Sequence, residues 1–412
     1  METHRVSEND FTRKSALSLP NLIALFLNTS HRSIKAELDN FFLKKDPKSF
    51  GKQLLTKGAF TKARSKLKET AFTELLHKCV SCFYREVPQQ LRSSWHGFRT
   101  LAVDGSDLVL PDYPALVDTF GVQTNTSTVS LPMAKLSFLY DTCLDMPVDV
   151  QLDRKHASER DLAVNHLAQT HENDLMLYDR GYYAYWFALL HVLHKREFCF
   201  RLRGNANTQV SHFIDSGRKQ AVITLDGTQG MQQKAREKGL DIVSVRVRLI
   251  RIKTAKGSYV LMTSLTDTRR YPAKHFYDLY HLRWRVEEGY KKQKAFLDVE
   301  DFSGRTVHSI KQDVHASALV QALVAMECFA SKGYVRAKAG MRKNSYKINF
   351  AEAIQSFKRK IIDMLSCQLS TSDVYKRLKA MARNLTIIKP DRSFEREKVR
   401  CRRKKLRTGY KV

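Results

Sequence analysis

Apolar and basic positions alternate with helical spacing over the first 95 residues. After Gly58, apolar side chains recur three or four positions apart and basic side chains fill the positions between them. The apolar set is Phe60, Ala63, Leu67, Ala71 and Leu75. This spacing predicts a helix with one buried face and a basic exterior. Such a helix suits a solvated surface, and it also suits a helix-turn-helix in which residues 60–76 contact DNA.

From residue 98 onward, short β-rich segments replace this pattern. Segments 100–103, 135–140, 147–152, 174–178 and 198–203 are predicted strands, with helical patterns between them at 158–171 and 182–195. Strands that alternate with helices predict an α/β fold. A second strand-rich block with few helical signals predicts a β-rich insertion at about 204–266, followed by a long helix that begins near Tyr271. We therefore predict a helical, DNA-binding domain at 1–95, an α/β domain with this insertion at 96–330 and a helical region with a basic tail at 331–412.

The chain is strongly basic. Its 412 residues include 71 lysines and arginines against 42 aspartates and glutamates, a formal net charge of +29. Such a surplus favours a polyanionic partner, and the tail at 389–412, with 11 basic and 3 acidic side chains, is expected to bind phosphates irrespective of sequence. The apolar runs are shorter than the roughly 20 residues of a membrane span, and no secretory signal pattern opens the chain. We therefore expect a cytoplasmic protein without a membrane segment.

Two aspartates follow short apolar strands. Asp104 comes after the apolar run 101–103 and precedes Gly105, and Asp179 comes after the apolar run 175–178 and precedes Arg180. Neighbouring strand ends would bring the two carboxylates together. Each aspartate taken alone is equally typical of a turn former or a helix cap.

A third carboxylate is predicted on the long helix. At about 100° per residue, one narrow polar stripe contains Tyr280, Arg283, Glu287 and Lys294. Glu287 is expected at the rim of the buried face and Glu288 in solvent. An ordinary ion pair between Arg283 and Glu287 would explain the stripe. The functional alternative is that Glu287 joins Asp104 and Asp179 as an oxygen ligand of divalent cations, which can activate water for in-line attack on phosphorus.

These residues give the sequence a resemblance to the IS-four family of bacterial DDE transposases, which includes the Tn-five type. The matching elements are Val103-Asp104-Gly105-Ser106 with Leu110-Pro111, then Tyr178-Asp179-Arg180-Gly181-Tyr182, and then Tyr280-x2-Arg283-x3-Glu287-x6-Lys294, which has the family's Y-(2)-R-(3)-E-(6)-K spacing. The resemblance covers about residues 95–330. It implies an RNase H-like catalytic core with a β-rich insertion between Asp179 and Glu287.

The resemblance also implies site residues and partners. Asp104, Asp179 and Glu287 would be the catalytic, metal-binding triad for Mg²⁺, for which Mn²⁺ would substitute. Tyr280, Arg283 and Lys294 would contact double-stranded DNA at the element ends, and Trp284 would either stack on a base or pack within the protein. A homodimer would hold two element ends in a synaptic complex. No nucleotide cofactor is expected, because the sequence lacks a G-x-x-x-x-G-K-[ST] phosphate loop.

The implied chemistry is hydrolysis at the element ends, followed by attack of the released 3′-hydroxyls on target DNA. Three alternatives stay open at this point. An RNase H-like nuclease that cuts without joining would use the same carboxylates, and a catalytically silent descendant of a transposase would still bind DNA. An RNA-binding module would use the basic surface but would leave the three carboxylates unexplained.

Overall fold

The computed structural model describes residues 2–28, 33–45, 55–92, 95–123, 131–255, 257–340, 344–365 and 370–388. The predicted basic tail at 389–412 lies outside these residues. The helices of the described part are α1 (Leu19–Asn28), α2 (Ile34–Lys45), α3 (Lys57–Arg64), α4 (Thr70–Glu86), α5 (Gln89–Arg92), α6 (Pro114–Phe120), α7 (Glu159–His166), α8 (Tyr185–Leu193), α9 (Thr208–Asp215), α10 (Gln229–Glu237), α11 (Phe276–His281), α12 (Trp284–Ala295), α13 (Val307–Ala330), α14 (Lys332–Ala339), α15 (Phe350–Leu365) and α16 (Thr371–Met381).

A large mixed sheet forms the centre of the fold. Its strands are β1 (Thr100–Val109), β2 (Val122–Gln123), β3 (Leu131–Asp141), β4 (Met146–Arg154), β5 (Leu175–Tyr178), β6 (Glu197–Arg201), β7 (Gln220–Leu225), β8 (Val245–Thr254) and β9 (Gly257–Thr263). The order is β2-β3-β1-β5-β6-β9-β8-β7, with β4 also on β3. Strand β1 is parallel to β5 and antiparallel to β3. A separate hairpin pairs β10 (Tyr346–Ile348) with β11 (Leu385–Ile387). The mixed α/β architecture predicted from the sequence is confirmed.

The predicted β-rich insertion contains helices as well as strands. Helices α9 and α10 lie within 204–266, where few helical signals were expected, and the asparagine Asn207 and the threonine Thr228 cap them through their side chains. Strands β7, β8 and β9 are present, but they do not form a sheet of their own. Strand β9 pairs with β6, so the block extends the main sheet.

The prediction of one continuous helix over residues 60–76 is wrong. Helix α3 ends at Arg64, and α4 begins at Thr70. The intervening residues pair with the start of the chain instead, since the Val6 N–H donates to the Lys66 carbonyl at 3.0 Å and the Lys68 N–H donates to the His4 carbonyl at 2.8 Å. These long-range hydrogen bonds override the local helical pattern. A single DNA-contacting helix over 60–76 is therefore excluded.

Helix α13 is long and apolar enough, by length and composition, to cross a membrane, and among the described helices it alone meets that test. In the fold it packs against α1, α4, α15 and β4. Its buried face also carries the polar side chains Gln312 and Gln321, which are both hydrogen-bonded. Buried amides with protein partners are typical of a core helix. Helix α13 is therefore a core helix that packs between other helices and strand β4.

A buried acid between two histidines links α4, β4 and α7. The Asp149 carboxylate accepts hydrogen bonds from His77 Nε2 at 2.8 Å and His166 Nδ1 at 2.7 Å. Burial raises the pKa of Asp149, but the hydrogen bonds from the histidines outweigh burial, and the net pKa lies well below the usual range. The folded state therefore favours the ionised carboxylate. Its contribution to stability is complete above the unfolded pKa of about 3.9 and is lost as pH falls below that value.

Replacing Asp149 should therefore flatten the acid side of the stability profile. Between about pH 4 and pH 3, we expect the free energy of unfolding of Asp149→Asn to fall by about 1 kcal/mol less than that of the wild type, because the variant lacks a carboxylate that takes up most of a proton on unfolding in this range. Urea unfolding at several pH values measures this slope. Asp153→Asn, an exposed acid on the same strand, is the control and should keep the wild-type slope. Equal slopes in wild type and Asp149→Asn would refute the account.

Candidate active site

Strands β1 and β5 bring Asp104 and Asp179 to one edge of the sheet. Strand β5 ends at Tyr178, so Asp179 follows it directly, as predicted. The parallel register pairs Ala102 with Leu177, and two further residues along both strands place Asp104 alongside Asp179. The expectation that Asp104 ends its own strand is wrong. Strand β1 continues to Val109, because its backbone stays paired with β3 beyond the point where β5 stops.

The helix that carries Glu287 is divided in two. It was predicted to run unbroken from near Tyr271, whereas a 3₁₀ turn at Ala273–His275 leads into α11, and α12 starts only at Trp284. At the junction the Val286 N–H bonds to the Arg283 carbonyl, an i to i+3 contact that tightens the turn. Leu282 and Arg283 keep helical dihedral angles. The polar stripe therefore stays on one side of the two helices.

The predicted face of α12 is confirmed. The Glu287 side chain is 23% exposed and lies at the rim of the buried face. The Glu288 side chain is 50% exposed and pairs with Lys291 at 2.5 Å. The apolar positions Leu279, Val286, Tyr290 and Leu297 are buried. Glu287 therefore points towards the sheet edge, and Glu288 points to solvent.

Arg283 and Tyr280 connect the three carboxylates. The Arg283 guanidinium donates from Nη2 to Glu287 Oε1 at 2.8 Å and from Nη1 to Asp104 Oδ2 at 3.2 Å. The Tyr280 hydroxyl donates to Asp179 Oδ1 at 3.3 Å. The Arg283–Glu287 ion pair expected from the i, i+4 spacing thus exists, but the same guanidinium also holds an aspartate 179 positions away. One arginine and one tyrosine therefore bind carboxylates from β1, the end of β5 and α12.

Burial sets the electrostatics of this group. It raises the pKa of Asp104 to about 6, although the Arg283 guanidinium and the Gly105 N–H act to lower it, while the charges of Glu287 and Glu159 raise it further. Burial also raises the pKa of Tyr280, so its hydroxyl remains a neutral donor. An ionised carboxylate at such a position is short of compensating positive charge.

Close packing fixes α12 against β1 and β3. The Tyr290 ring stacks on Phe138 with centroids 4.7 Å apart. Its hydroxyl donates to the Asp104 carbonyl at 2.6 Å and accepts from the Phe138 N–H at 3.0 Å, so it bridges the two paired strands at Asp104 itself. One residue earlier, a Cβ added to Gly289 would lie 2.6 Å from the buried Tyr140 ring. Glycine at 289 therefore allows the approach that brings Glu287 to Asp104.

Gly289→Ala should therefore weaken the site and the fold together. The new methyl group would push α12 off the sheet, and such overpacking costs about 1–3 kcal/mol. We expect a loss of that size in urea unfolding. The control is Gly333→Ala in α14, where an added Cβ meets no atom of the described chain and should leave stability unchanged or slightly raised. Equal stabilities for Gly289→Ala and wild type would show that the close approach is unnecessary.

The remaining predicted residues lie on the flank of the group. The Lys294 ammonium donates to the Asp107 carbonyl at 2.5 Å and lies 3.9 Å from the Glu300 carboxylate. Trp284 is 50% exposed, and the Arg283 guanidinium carbon lies 5.8 Å from its ring. Of the two possibilities for Trp284, base stacking or packing, the exposed ring leaves room for stacking. Lys294, by contrast, already contacts backbone and acid groups of the protein.

The donor chemistry of the site fits a hard divalent cation, since Asp104, Asp179 and Glu287 all supply carboxylate oxygens. In the described part of the chain, however, no three acidic, histidine or cysteine side chains are grouped closely enough to hold a metal ion. The reason is local, because the Arg283 guanidinium lies between Asp104 and Glu287. The three carboxylates thus have the oxygen ligands that a divalent cation prefers. In this structure the Arg283 guanidinium occupies the space between Asp104 and Glu287.

Sequence reasoning missed Glu159 and Tyr290. Glu159 is the first residue of α7, and a Cβ on Gly105 would lie 2.9 Å from its carboxylate, so it lies beside the Asp104 backbone. It pairs with Lys135 at 3.2 Å. An acid in the first turn of a helix is common for electrostatic reasons, and the pattern at 158–161 therefore gave no special signal. Tyr290 follows the apolar spacing of α12, so the sequence pattern at this position indicates burial alone.

Comparison with known proteins places the chain in a family. The model of the family described as Transposase DDE domain matches residues 95–323, more than half of the chain. The chain belongs to the DDE transposase domain family. The matched span of this DDE transposase domain contains β1, β5 and α12 with all three carboxylates.

Individual relatives agree with this assignment. The chain is 27% identical over 245 residues to the Escherichia coli K12 transposase InsG for insertion sequence element IS4, covering 58% of this chain and 53% of that protein. The putative transposase y4zB of Sinorhizobium fredii is 25% identical over 195 residues, covering 46% of this chain and 52% of the relative. The chain thus spans about half the length of the curated relatives it matches.

Among solved structures, a cryo-EM structure of the piggyBac transposase synaptic complex with hairpin DNA aligns with a TM-score of 0.44 and 9% identity. The alignment covers 90% of this chain and 78% of that chain.

Proposed function

We propose that this DDE transposase is of the IS-four type and acts on the ends of an insertion sequence. It cleaves the ends by metal-dependent hydrolysis of a phosphodiester and joins the released 3′-hydroxyls to target DNA. The observation that carries the proposal is the meeting of Asp104, Asp179 and Glu287 around Arg283 and Tyr280. The Tyr280, Arg283, Glu287 and Lys294 spacing supports the IS-four assignment.

We assign an RNase H-like core to the sheet around this site. The supporting observation is the strand order β4-β3-β1-β5-β6, in which antiparallel strands are followed by parallel ones. Of these five strands, β1 is the first in sequence and carries Asp104. Strand β5 is the fourth of the five in sequence, and Asp179 follows it directly. In this assignment, β7, β8 and β9 with α9 and α10 form the insertion between Asp179 and Glu287.

Asp104, Asp179 and Glu287 would hold Mg²⁺, with Mn²⁺ as a substitute. Such cations supply an activated water or hydroxyl and stabilise the leaving oxygen during in-line displacement. The chain's own residues orient this centre. Tyr290 fixes the Asp104 backbone, and Tyr280 fixes the Asp179 carboxylate. Buried Arg283 offsets part of the negative charge of two carboxylates before DNA binds.

Arg283, Tyr280, Trp284 and Lys294 are the proposed DNA contacts. Arg283 Nε–H has no hydrogen-bond partner among the described residues, so this guanidinium retains a donor for a phosphate oxygen. Trp284, next to it, presents half of its surface for stacking on a base. Arg283 would then exchange a carboxylate for a phosphate when DNA arrives. A homodimer in a synaptic complex would supply one such site to each element end, in the bacterial cytoplasm where the nucleoid lies.

A cleavage and joining assay tests this function. The substrate is DNA that carries the inverted repeats flanking the gene, incubated with the full chain and Mg²⁺ or Mn²⁺, with a chelated reaction as the control. We expect metal-dependent nicks at the repeat ends and covalent joining of those ends to a target plasmid. Cutting without joining would assign a nuclease instead, and DNA binding without cutting in either metal would assign a catalytically silent descendant.

A further inference from the structure

The Tyr182 hydroxyl is a buried donor that has no partner among the residues the structure describes. Tyr182 lies in the turn that follows Asp179, is 1% exposed, and makes no side-chain hydrogen bond with any described residue. Leaving a buried hydroxyl unpaired costs about 1–3 kcal/mol, and few native groups are left so. The chain therefore keeps a costly phenol where phenylalanine would fill the same space.

The ring of Tyr182 is held in place from two sides. From α7, Arg160 donates to the Tyr182 carbonyl at 3.1 Å and to the Gly181 carbonyl at 2.9 Å. From β5, the Tyr178 ring packs against the Tyr182 ring with centroids 5.5 Å apart. The turn between Asp179 and Tyr182 is also closed by a backbone hydrogen bond of 3.1 Å. The hydroxyl is therefore fixed in position relative to the carboxylates.

Its surroundings are those of the catalytic group. The charges that act on the Tyr182 hydroxyl include those of Glu159 and Asp104, and they add to the burial that raises its pKa well above the usual range. The hydroxyl therefore stays protonated at neutral pH, and donating a hydrogen bond to an incoming acceptor would remove the cost of leaving it unpaired. The two nearby carboxylates have other partners, since Glu159 pairs with Lys135 and Asp104 with Arg283 and the Gly105 N–H. The donor is thus free for an oxygen that enters from outside.

We propose that the Tyr182 hydroxyl donates a hydrogen bond to a non-bridging oxygen of the scissile phosphate. This inference rests on the proposed function, because it places the phosphodiester beside Asp104. A neutral donor suits that position, since a phosphate oxygen gathers negative charge during displacement and an O–H whose ring is held in place stabilises that charge. The hydroxyl is buried in the free protein, so the side chains that cover it would move aside when DNA binds. Tyr182 would then act in the transition state more than in DNA binding.

Tyr182→Phe tests the proposal, with Tyr185→Phe as a matched control. The Tyr185 hydroxyl is likewise buried and unpaired within the described chain, but its ring faces the turn at Gly227 instead of Asp104. In single-turnover cleavage at saturating enzyme, we expect Tyr182→Phe to be slower by about 10- to 1,000-fold, as for loss of one transition-state donor. The dissociation constant for end DNA should change less than twofold, and the melting temperature should stay equal or rise in both variants.

A phosphorothioate at the scissile position identifies the acceptor. Sulfur is a weaker hydrogen-bond acceptor than oxygen, so one diastereomer should slow the wild type, and that slowing should be smaller in Tyr182→Phe. Wild-type cleavage rates in Tyr182→Phe, or equal slowing in Tyr185→Phe, would overturn the proposal. So would an unchanged sulfur effect at both diastereomers. If the wild type itself fails to cleave in either metal, the proposed function fails, which separates that result from failure of this inference.

Discussion

Glu287→Ala abolishes metal-dependent cleavage of element ends, and Glu288→Ala retains it. This outcome is expected because the two neighbouring acids face different surroundings. Glu287 lies at the rim of the buried face with Arg283, which also binds Asp104, whereas the ion pair of Glu288 within the described chain is with exposed Lys291. Loss of one member of a group that acts as a unit removes most of the catalysis, so we expect at least about a 1,000-fold lower rate.

Single-turnover cleavage of labelled end DNA measures this rate, and a binding assay on the same DNA accompanies it. Both variants should bind DNA as the wild type does, since neither substitution removes a basic side chain. Comparable melting temperatures would show that Glu287→Ala is folded. Retained cleavage in Glu287→Ala together with loss in Glu288→Ala would refute the helix-face assignment.

Arg64→Met destabilises the fold by about 3–5 kcal/mol, the cost of breaking a buried ion pair from one side. Arg64 ends α3 in the N-terminal helices, yet the hydrogen-bond partners of its guanidinium in the described chain lie at 303–313, at and before the start of α13. Its guanidinium donates to Ser303, Ser309, Gln312 and Asp313 at 2.7–3.1 Å. It also lies over the rings of Phe26 and Phe60. Methionine would fill the space but leave the Asp313 carboxylate without this cation.

Urea unfolding at pH 7 measures the loss. Arg85→Met is the control, because Arg85 lies on the neighbouring helix α4, is 73% exposed and pairs only with exposed Glu86 among carboxylates of the described chain. Exposed pairs of this kind contribute about 0–1 kcal/mol. A loss below about 1 kcal/mol in Arg64→Met would mean that the N-terminal helices are not held to α13 through this residue.

Local patterns were sufficient to predict much of the site. The apolar run 175–178 ends where β5 ends, so Asp179 could be placed at a strand end. Helical periodicity predicted that Glu287 lies near the buried face and Glu288 in solvent, because one face of α12 is buried and the opposite face is exposed. Both features depend on the alternation of side chains along one element, which a sequence carries directly.

Features that depend on distant partners could not be predicted in this way. Strand β1 runs past Asp104 because β3 continues to pair with it, and α3 stops at Arg64 because residues 66 and 68 bond to the start of the chain. The proximity of Arg283 to Asp104 likewise joins residues 179 positions apart. The positions of Glu159 and Tyr182 near Asp104 also depend on such distant contacts. The sequence at Glu159 looks like an ordinary helix start. Tyr182 ends the matching element at 178–182, but the sequence gives no sign that its hydroxyl lacks a partner in the described chain.

The central claim is that one carboxylate site performs both cleavage and joining. Strand transfer of pre-cleaved ends tests it most directly, because the substrate already carries free 3′-hydroxyls and the cleavage step is bypassed. With Mg²⁺, the account predicts that wild type joins these ends to target DNA and that Asp104→Asn and Asp179→Asn both fail, while Asp112→Asn, at an exposed position near Asp104, joins normally. Joining at the wild-type rate by either Asp104→Asn or Asp179→Asn would contradict the account.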